Sequence, residues 1–179
     1  MKKNQSDTFL HVLVLIFVIV LTILLFYYRD EVKNLGIYGY PGIFLISILA
    51  NATIIIPIPG ILITTAMGAV FNPIGVAFAA AGGSALGELT GYLAGFGGQV
   101  IVEKKDWYVQ VMEWMKKYGN VTIFVLSLIP NPLFDLAGMA AGTLKMPLWR
   151  FLLFCFFGKL LKMFVFAFLG ASLVDAIMN

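Results

Sequence analysis

Four ionisable side chains lie inside strongly apolar segments of this sequence, and they are its best candidates for chemistry. Glu88 follows a glycine-rich run, Asp135 follows two prolines, and Lys159 and Lys162 stand three residues apart among phenylalanines and leucines. A charge at the centre of a membrane helix costs about 2.5 kcal/mol or more, so each should face the protein interior. We expect at least one lysine to pair with Glu88 or Asp135. The two carboxylates then either relay protons or only balance the lysines.

Two proline-broken segments form the second candidate feature. Asn131 stands between Pro130 and Pro132, and an earlier apolar run is interrupted by Pro57-Ile-Pro-Gly60. A helix cannot run straight through these prolines, because each lacks an N–H and crowds the preceding turn. The half-helices that follow would direct unpaired N–H groups and positive dipole ends into the break, where they suit phosphate or carboxylate. The residues that we predict to bind substrate are Pro57, Pro59, Gly60, Asn131, Pro132, Lys159 and Lys162.

Composition places the chain in a bilayer. Hydrophobic residues make up 61% of the 179 residues and charged residues only 12%, and the mean hydropathy is +0.97. An ordinary soluble domain does not have this composition. The formal charge of +3 is modest, so we expect no nucleic-acid partner. The single cysteine, Cys155, cannot form an internal disulfide.

Two segments have the pattern of membrane-boundary elements. The apolar run from Phe9 to Tyr28 follows a basic start, is long enough to cross the hydrocarbon, and lacks a small-residue cleavage site, which predicts an uncleaved anchor helix. Residues 103–118 instead form an amphipathic pattern with lysines and tryptophans, which predicts a helix lying in the interface plane. In this interpretation Asp106 and Lys117 share one face, and Val111 and Trp114 share the other.

A ridge of small residues marks the helix between these two segments. It recurs every fourth position and comprises Gly75, Ala79, Gly83, Gly87, Gly91 and Gly95. Small residues let a neighbouring backbone approach closely, which is how membrane helices pack. The ridge could serve the internal fold or a homodimer. Ser84, Glu88 and Tyr92 lie on its flank at i, i+4 spacing.

The two broken segments form an internal repeat. Pro57-x-Pro59 precedes Gly68 and Pro73 much as Pro130-x-Pro132 precedes Gly142 and Pro147, and Asn51-Ala-Thr-Ile resembles Asn120-Val-Thr-Ile. If both segments turn back as hairpins, most loop cations lie on the cytoplasmic side with the N-terminus, as the positive-inside rule requires. Paired broken segments also indicate a transporter site near the bilayer midplane.

The predicted fold is therefore an all-α integral membrane protein built from an inverted repeat of two facing re-entrant helical hairpins, each followed by a transmembrane helix. An anchor and link occupy residues 1–36, and a membrane domain occupies residues 37–179. Within that domain we assign repeat 1 to residues 37–102, the interfacial helix to 103–118 and repeat 2 to 119–176. The hairpin tips should meet near the midplane.

The chain from about Gly39 to Leu173 resembles the DedA family, also called the VTT or SNARE-associated-Golgi domain family. The resemblance rests on Pro57-x-Pro-Gly60, the Gly68–Gly75 run, the glycine-rich helix and Ile129-Pro-Asn-Pro-Leu-Phe134. It implies two facing re-entrant hairpins in a bacterial or archaeal plasma membrane or in eukaryotic endomembranes. It also implies movement of lipids such as undecaprenyl phosphate or phospholipids, in some members linked to proton-motive force. Many members have arginines where Ser127 and Gly97 stand here.

Four functions remain open from the sequence. The first is a flippase- or scramblase-like transporter for a lipid with a phosphate headgroup, and the second is a proton- or cation-coupled carrier for a small solute. The third, a non-transporting scaffold, would use Glu88 and Asp135 only to pair with lysines. The fourth, a lipid enzyme, is disfavoured by a single histidine and by the lack of HExxH, acidic-cluster or nucleophile-elbow motifs. We expect no catalytic residue, cofactor or metal.

Overall fold

Helices form nearly all of the computed structural model, which describes residues 36–52, 60–97, 106–130 and 133–178. No strand occurs within these ranges. The predicted anchor helix, together with Pro57, Pro59, Asn131 and Pro132, lies outside them. The helices are α1 (Gly36–Ala52), α2 (Gly60–Gly68), α3 (Pro73–Gly87), α4 (Leu89–Phe96), α5 (Asp106–Leu128), α6 (Leu133–Thr143) and α7 (Leu148–Met178).

The first pair of helices, α1 and α2, folds back on itself. Gly39, near the start of α1, lies against the ring of Phe71, which follows α2. The rings of Tyr40 and Phe71 are 5.7 Å apart between centroids. The chain therefore leaves and returns at the same level, and the end of α1 and the start of α2 lie together at the far end, where Gly60 is close to Ala50. We call this pair the first hairpin and its Tyr40–Phe71 end the first mouth.

The C-terminal half of α5 and helix α6 form the second hairpin. At its mouth, Met115 and Gly119 from α5 line the same cavity as Leu144 and Met146, which follow α6. The chain thus returns to the level at which the hairpin began. Lys145 takes a left-handed backbone conformation in this return, with φ of 52°.

Helices α3 and α4 connect the two mouths. Asn72 caps α3 by accepting hydrogen bonds from the N–H groups of Ile74 and Gly75, at 2.9 and 3.4 Å. Gly75 then packs on Tyr40 at the first mouth. At the other end, Thr143 donates to the carbonyl of Gly95 at 3.3 Å. The two hairpins therefore open toward opposite ends of the α3–α4 pair.

The ridge of small residues packs inside the chain. Gly83 lies on the backbone of Phe44 in α1, and Gly87 lies on the backbone of Ile48. Gly95 lies against the carbonyl of Met139 in α6. The first half of the ridge thus packs on the first hairpin and the second half packs on the second hairpin.

Helix α7 closes the molecule. Its segment Leu148–Val174 has a mean hydropathy of 2.1, and among the described helices it alone is long and apolar enough to cross a membrane. It packs against α2, α3 and α5. Its outer face is an apolar stripe of Leu153, Phe157, Leu161 and Val165, which are 43–65% exposed. An exposed stripe of this kind is expected where a helix faces lipid.

The repeat predicted from the sequence requires one correction. The match between Asn51 and Asn120 is misleading, because Asn51 lies at the end of α1, near the tip of its hairpin, and Asn120 lies at a mouth.

The segment predicted to lie in the interface forms the first part of α5, up to a kink at Tyr118 (φ −136°, ψ 36°), the residue at which it was predicted to end. Within it, Val111 is buried in the core and Trp114 is 47% exposed.

Candidate functional site

A buried ion pair lies at the junction of the two halves. Lys159 Nζ is 2.6 Å from Glu88 Oε1. The two residues are 2% and 5% exposed. The expected pairing of a lysine in the closing helix with one of the carboxylates is therefore present, and it joins α7 to the α3–α4 break. A pair this well buried is strongly destabilised when one partner is removed.

The break between α3 and α4 places Glu88 in this position. The helix, expected to be continuous to about residue 102, is interrupted at this residue. The backbone N–H of Glu88 still donates to the carbonyl of Ser84 at 3.2 Å, and its carbonyl accepts from the N–H of Tyr92 at 3.1 Å. The hydroxyl of Thr90 donates to the carbonyl of Gly87 at 3.0 Å. These bonds satisfy backbone groups that the interruption would otherwise leave unpaired.

Asn51 completes a polar network around the lysine. Its side-chain oxygen accepts from Lys159 Nζ at 2.7 Å. Its amide nitrogen donates to the carbonyl of Ser47 at 2.8 Å and to Ser84 Oγ at 3.1 Å. No buried polar side-chain atom among the described residues lacks a partner. Asn51 was not among the predicted site residues, although an amide near the end of an apolar helix is a usable signal in the sequence.

The flanks of both proline-broken segments converge on Lys159. Asn51, just before the first break, accepts a hydrogen bond from the ammonium group. Phe134, just after the second break, places its ring centroid 5.1 Å from the same nitrogen. This distance is within the range of a cation–π interaction. One ammonium group therefore contacts elements of both hairpins.

Asp135 and Lys162 lie at the edge of this network. Asp135 is exposed in the first turn of α6, and Lys162 is half-buried one turn beyond Lys159. Each is close enough to interact electrostatically with the other and with Lys159. Within the described ranges neither forms a direct ion pair. The expectation that Lys162 would be buried like Lys159 is wrong, and these two charges are the accessible ones.

The remaining described site residue, Gly60, begins α2. Its carbonyl accepts from Thr64 Oγ1 at 2.8 Å. Its Cα face is close to Ala50, since a Cβ added there would lie 4.0 Å from the Ala50 Cβ. The structure thus brings together Glu88 and Lys159, with Asp135 and Lys162 beside them, and puts Gly60 next to the end of α1. The four other predicted contacts are outside the described residues.

Ser127 occupies a tightly packed position. It is fully buried and donates to the carbonyl of Phe124 at 2.8 Å. Gly158 of α7 lies directly against it. A long side chain at position 127 would need the space that α7 occupies. Serine, which stands here in place of the arginine of many family members, therefore permits the close packing of α7. Lys159, the residue that follows Gly158 in α7, provides a positive charge close to this position.

Replacing Asn51 with alanine should destabilise the protein by about 1–3 kcal/mol, because the change removes an acceptor from the buried ammonium group. Ser84→Ala is the matched control, since it removes only one of the two acceptors of the Asn51 amide and should cost less. Thermal unfolding in detergent, followed by tryptophan fluorescence, measures both. An equal or larger loss in the Ser84 variant would contradict the network described here.

Comparison with known proteins identifies the family to which this chain belongs. The VTT domain matches residues 58–172, more than half of the chain. The vacuole membrane protein KMS2 of Arabidopsis thaliana is 35% identical over 65 residues, which cover 36% of this chain and 15% of that protein. The vacuole membrane protein KMS1 of the same plant is 39% identical over 54 residues, covering 28% of this chain and 13% of that protein. The chain therefore spans only a small part of these relatives. No solved structure matches it significantly. This chain belongs to the VTT domain family of membrane proteins, as its sequence motifs predicted.

Proposed function

We propose that this protein moves a lipid with a phosphate headgroup, such as a polyprenyl phosphate or a phospholipid, across the bilayer. In this proposal it is a multi-pass protein of a bacterial or archaeal plasma membrane with a cytoplasmic N-terminus. The two hairpins are re-entrant, enter from opposite sides and present their tips to the headgroup near the midplane. Membrane lipids are then its main partners, and protons are a second partner if transport is coupled.

The observation that carries the proposal is the convergence of both hairpins on one buried cation. The hairpins open toward opposite ends of α3–α4, and Asn51 and Phe134 both contact Lys159. Opposed hairpins that meet at a charged centre provide the two access routes of an alternating-access carrier. Irregular backbone at membrane depth is tolerated where it lines such a cavity.

Three features favour a phosphate group as the headgroup of the transported lipid. Helices α2 and α6 begin immediately after the two breaks, so the positive ends of their dipoles lie there. Lys162 is accessible and adds a full positive charge. Asp135 stands in the first turn of α6, where it can pair with Lys162 when no lipid is bound.

Two alternatives draw on the same residues. A proton-coupled carrier for a small solute would use Glu88 and Asp135 as relay groups, and the direct Glu88–Lys159 contact favours this candidate because protonation of Glu88 would break the ion pair. A non-transporting scaffold would use the same contact only to hold α7 to α3. Lipid flux and proton movement, measured on the same vesicles, together separate all three.

Flux of a labelled phospholipid into the inner leaflet of reconstituted vesicles should fall about tenfold or more in Lys162→Gln, because a charged hydrogen bond to the headgroup is lost. Asp135→Asn should change the pH dependence of the same flux. An impermeant reductant that bleaches outer-leaflet label measures both. Glu113→Gln, an exposed change on α5, is the matched control and should retain flux.

The three functions predict different outcomes of that experiment. A scaffold gives no protein-dependent flux in any variant, and a small-solute carrier gives proton movement without lipid movement. Full flux in both Lys162→Gln and Asp135→Asn would contradict the assignment of this site to lipid.

A further inference from the structure

The cavity at the mouth of the second hairpin lies apart from the Glu88–Lys159 network. It has a volume of about 600 Å³ and is lined by residues 115–121 of α5 and by the chain between α6 and α7. Small-molecule sites in proteins have volumes of about 300–1,000 Å³. The kink of α5 lies within this lining, at Tyr118. Thr122 donates across the kink to the carbonyl of Trp114 at 3.1 Å, which satisfies that carbonyl.

The charged side chains that line this cavity are all positive, and we call it the basic cavity. Lys116, Lys117 and Arg150 line it, and none of the described lining residues is acidic. Glu113 lies one turn earlier on α5 and does not line the cavity. All three cations are exposed, and none forms an ion pair with a described carboxylate. Asn120 and Tyr118 add hydrogen-bonding groups. This set of donors suits an anion with several oxygens, such as a phosphate ester.

The surroundings indicate that the anion belongs to a lipid. Exposed aromatic residues flank the cavity: Trp114 is 47%, Tyr118 55% and Trp149 63% exposed. Tryptophan and tyrosine in such numbers mark the level of the lipid headgroups. The Arg150 guanidinium lies 5.2 Å from the centroid of the Trp149 ring. The rest of the wall is apolar and includes Val121 and Leu144, which a free phosphate ion would not use.

We propose that this basic cavity binds the phosphate headgroup of an anionic membrane lipid, with Lys116, Lys117 and Arg150 contacting the phosphate oxygens and the apolar wall contacting the glycerol and upper acyl chain. Basic pockets beside membrane helices bind lipid headgroups in this way. The site is independent of the proposed transport site, since it lies at a mouth and not at the junction of the hairpins. It therefore holds whether or not the protein transports lipid.

The full chain in phosphatidylcholine nanodiscs allows a direct test through its own tryptophans. Trp114 and Trp149 are sequence neighbours of cavity residues, so brominated phosphatidylglycerol bound there should quench their fluorescence more than brominated phosphatidylcholine at the same mole fraction. Each cation near the membrane is expected to strengthen binding about fivefold. The variant Lys116→Gln/Lys117→Gln/Arg150→Gln should therefore weaken the preference for phosphatidylglycerol about a hundredfold.

The matched control for the single variants removes one cation from a described residue that does not line the cavity. It is Lys145→Asn, in which asparagine tolerates the left-handed backbone at position 145. This control should keep the preference. Quenching is expressed relative to the same variant without bromine, which cancels any change in intrinsic emission. The single variants Lys116→Gln and Arg150→Gln, each expected to lose about fivefold, cover the case in which the triple variant does not fold.

Two results would overturn the proposal. The first is an unchanged preference in the folded cavity variants, or an equal loss in the control, which would mean that surface charge alone attracts the lipid. The second is displacement of the brominated lipid by millimolar inorganic phosphate, which would assign the cavity to a soluble anion. If the unmodified protein shows this quenching but moves no lipid, the transport proposal is contradicted and the proposal of a lipid-binding cavity stands.

Discussion

Replacing Glu88 with alanine should lower the free energy of unfolding by about 3–5 kcal/mol. The change leaves the Lys159 ammonium group buried at 2% exposure, with Asn51 and the Phe134 ring as its remaining contacts. Lys159→Ala should have a similar effect, because it leaves the Glu88 carboxylate buried without its cation. Unfolding in mixed micelles titrated with a denaturing detergent measures these losses.

The double variant separates the ion pair from simple packing. Glu88→Gln/Lys159→Met removes both charges while keeping side chains of similar length, and replacing a buried pair in this way is often neutral or stabilising. We expect the double variant to be more stable than either single alanine variant. With Glu88→Gln and Lys159→Met as the corresponding single variants, additive losses across this cycle would mean that the two side chains do not interact, and would contradict the geometry described here.

Adding one methyl group to Gly95 should cost about 1–3 kcal/mol, because the helices on either side cannot separate without losing packing. A Cβ at this position would overlap the carbonyl group of Met139, with the Met139 Cα 2.9 Å away. These are backbone atoms of α6, so no change of rotamer relieves the overlap. The same unfolding measurement applies to Gly95→Ala.

Gly42→Ala is the matched control for this substitution. It also lies within a helix, but a Cβ there meets nothing within 4 Å. Alanine is favoured over glycine in a helix interior by about 0.5–1 kcal/mol, so this variant should be at least as stable as the parent protein. If Gly95→Ala were equally well tolerated, α4 and α6 would not pack as closely as the structure shows.

The sequence by itself determined the class of protein and the residues that matter. Its apolar content required a membrane environment, and its proline positions required breaks near Gly60 and Pro130, where α2 starts and α5 ends. The ridge of small residues predicted close helix packing, and the structure contains it. The motifs around these features predicted the VTT domain family, which the comparison confirms. These properties follow from local rules, namely hydropathy, helix periodicity and the geometry of proline.

The tertiary structure decided which charges meet. Lys159 and Lys162 are equivalent candidates in sequence, but only Lys159 is fully buried in the junction. Lys162 lies about 60° away around the helix axis and is half-buried. The partners of Lys159 are distant in the chain, Glu88 by 71 residues and Asn51 by 108. Such contacts depend on how α7 is rotated and placed against α1 and α3, and no local pattern specifies that rotation. The kink at Tyr118 and the basic cavity beside it also depend on tertiary packing, since they lie where α5 enters the second hairpin.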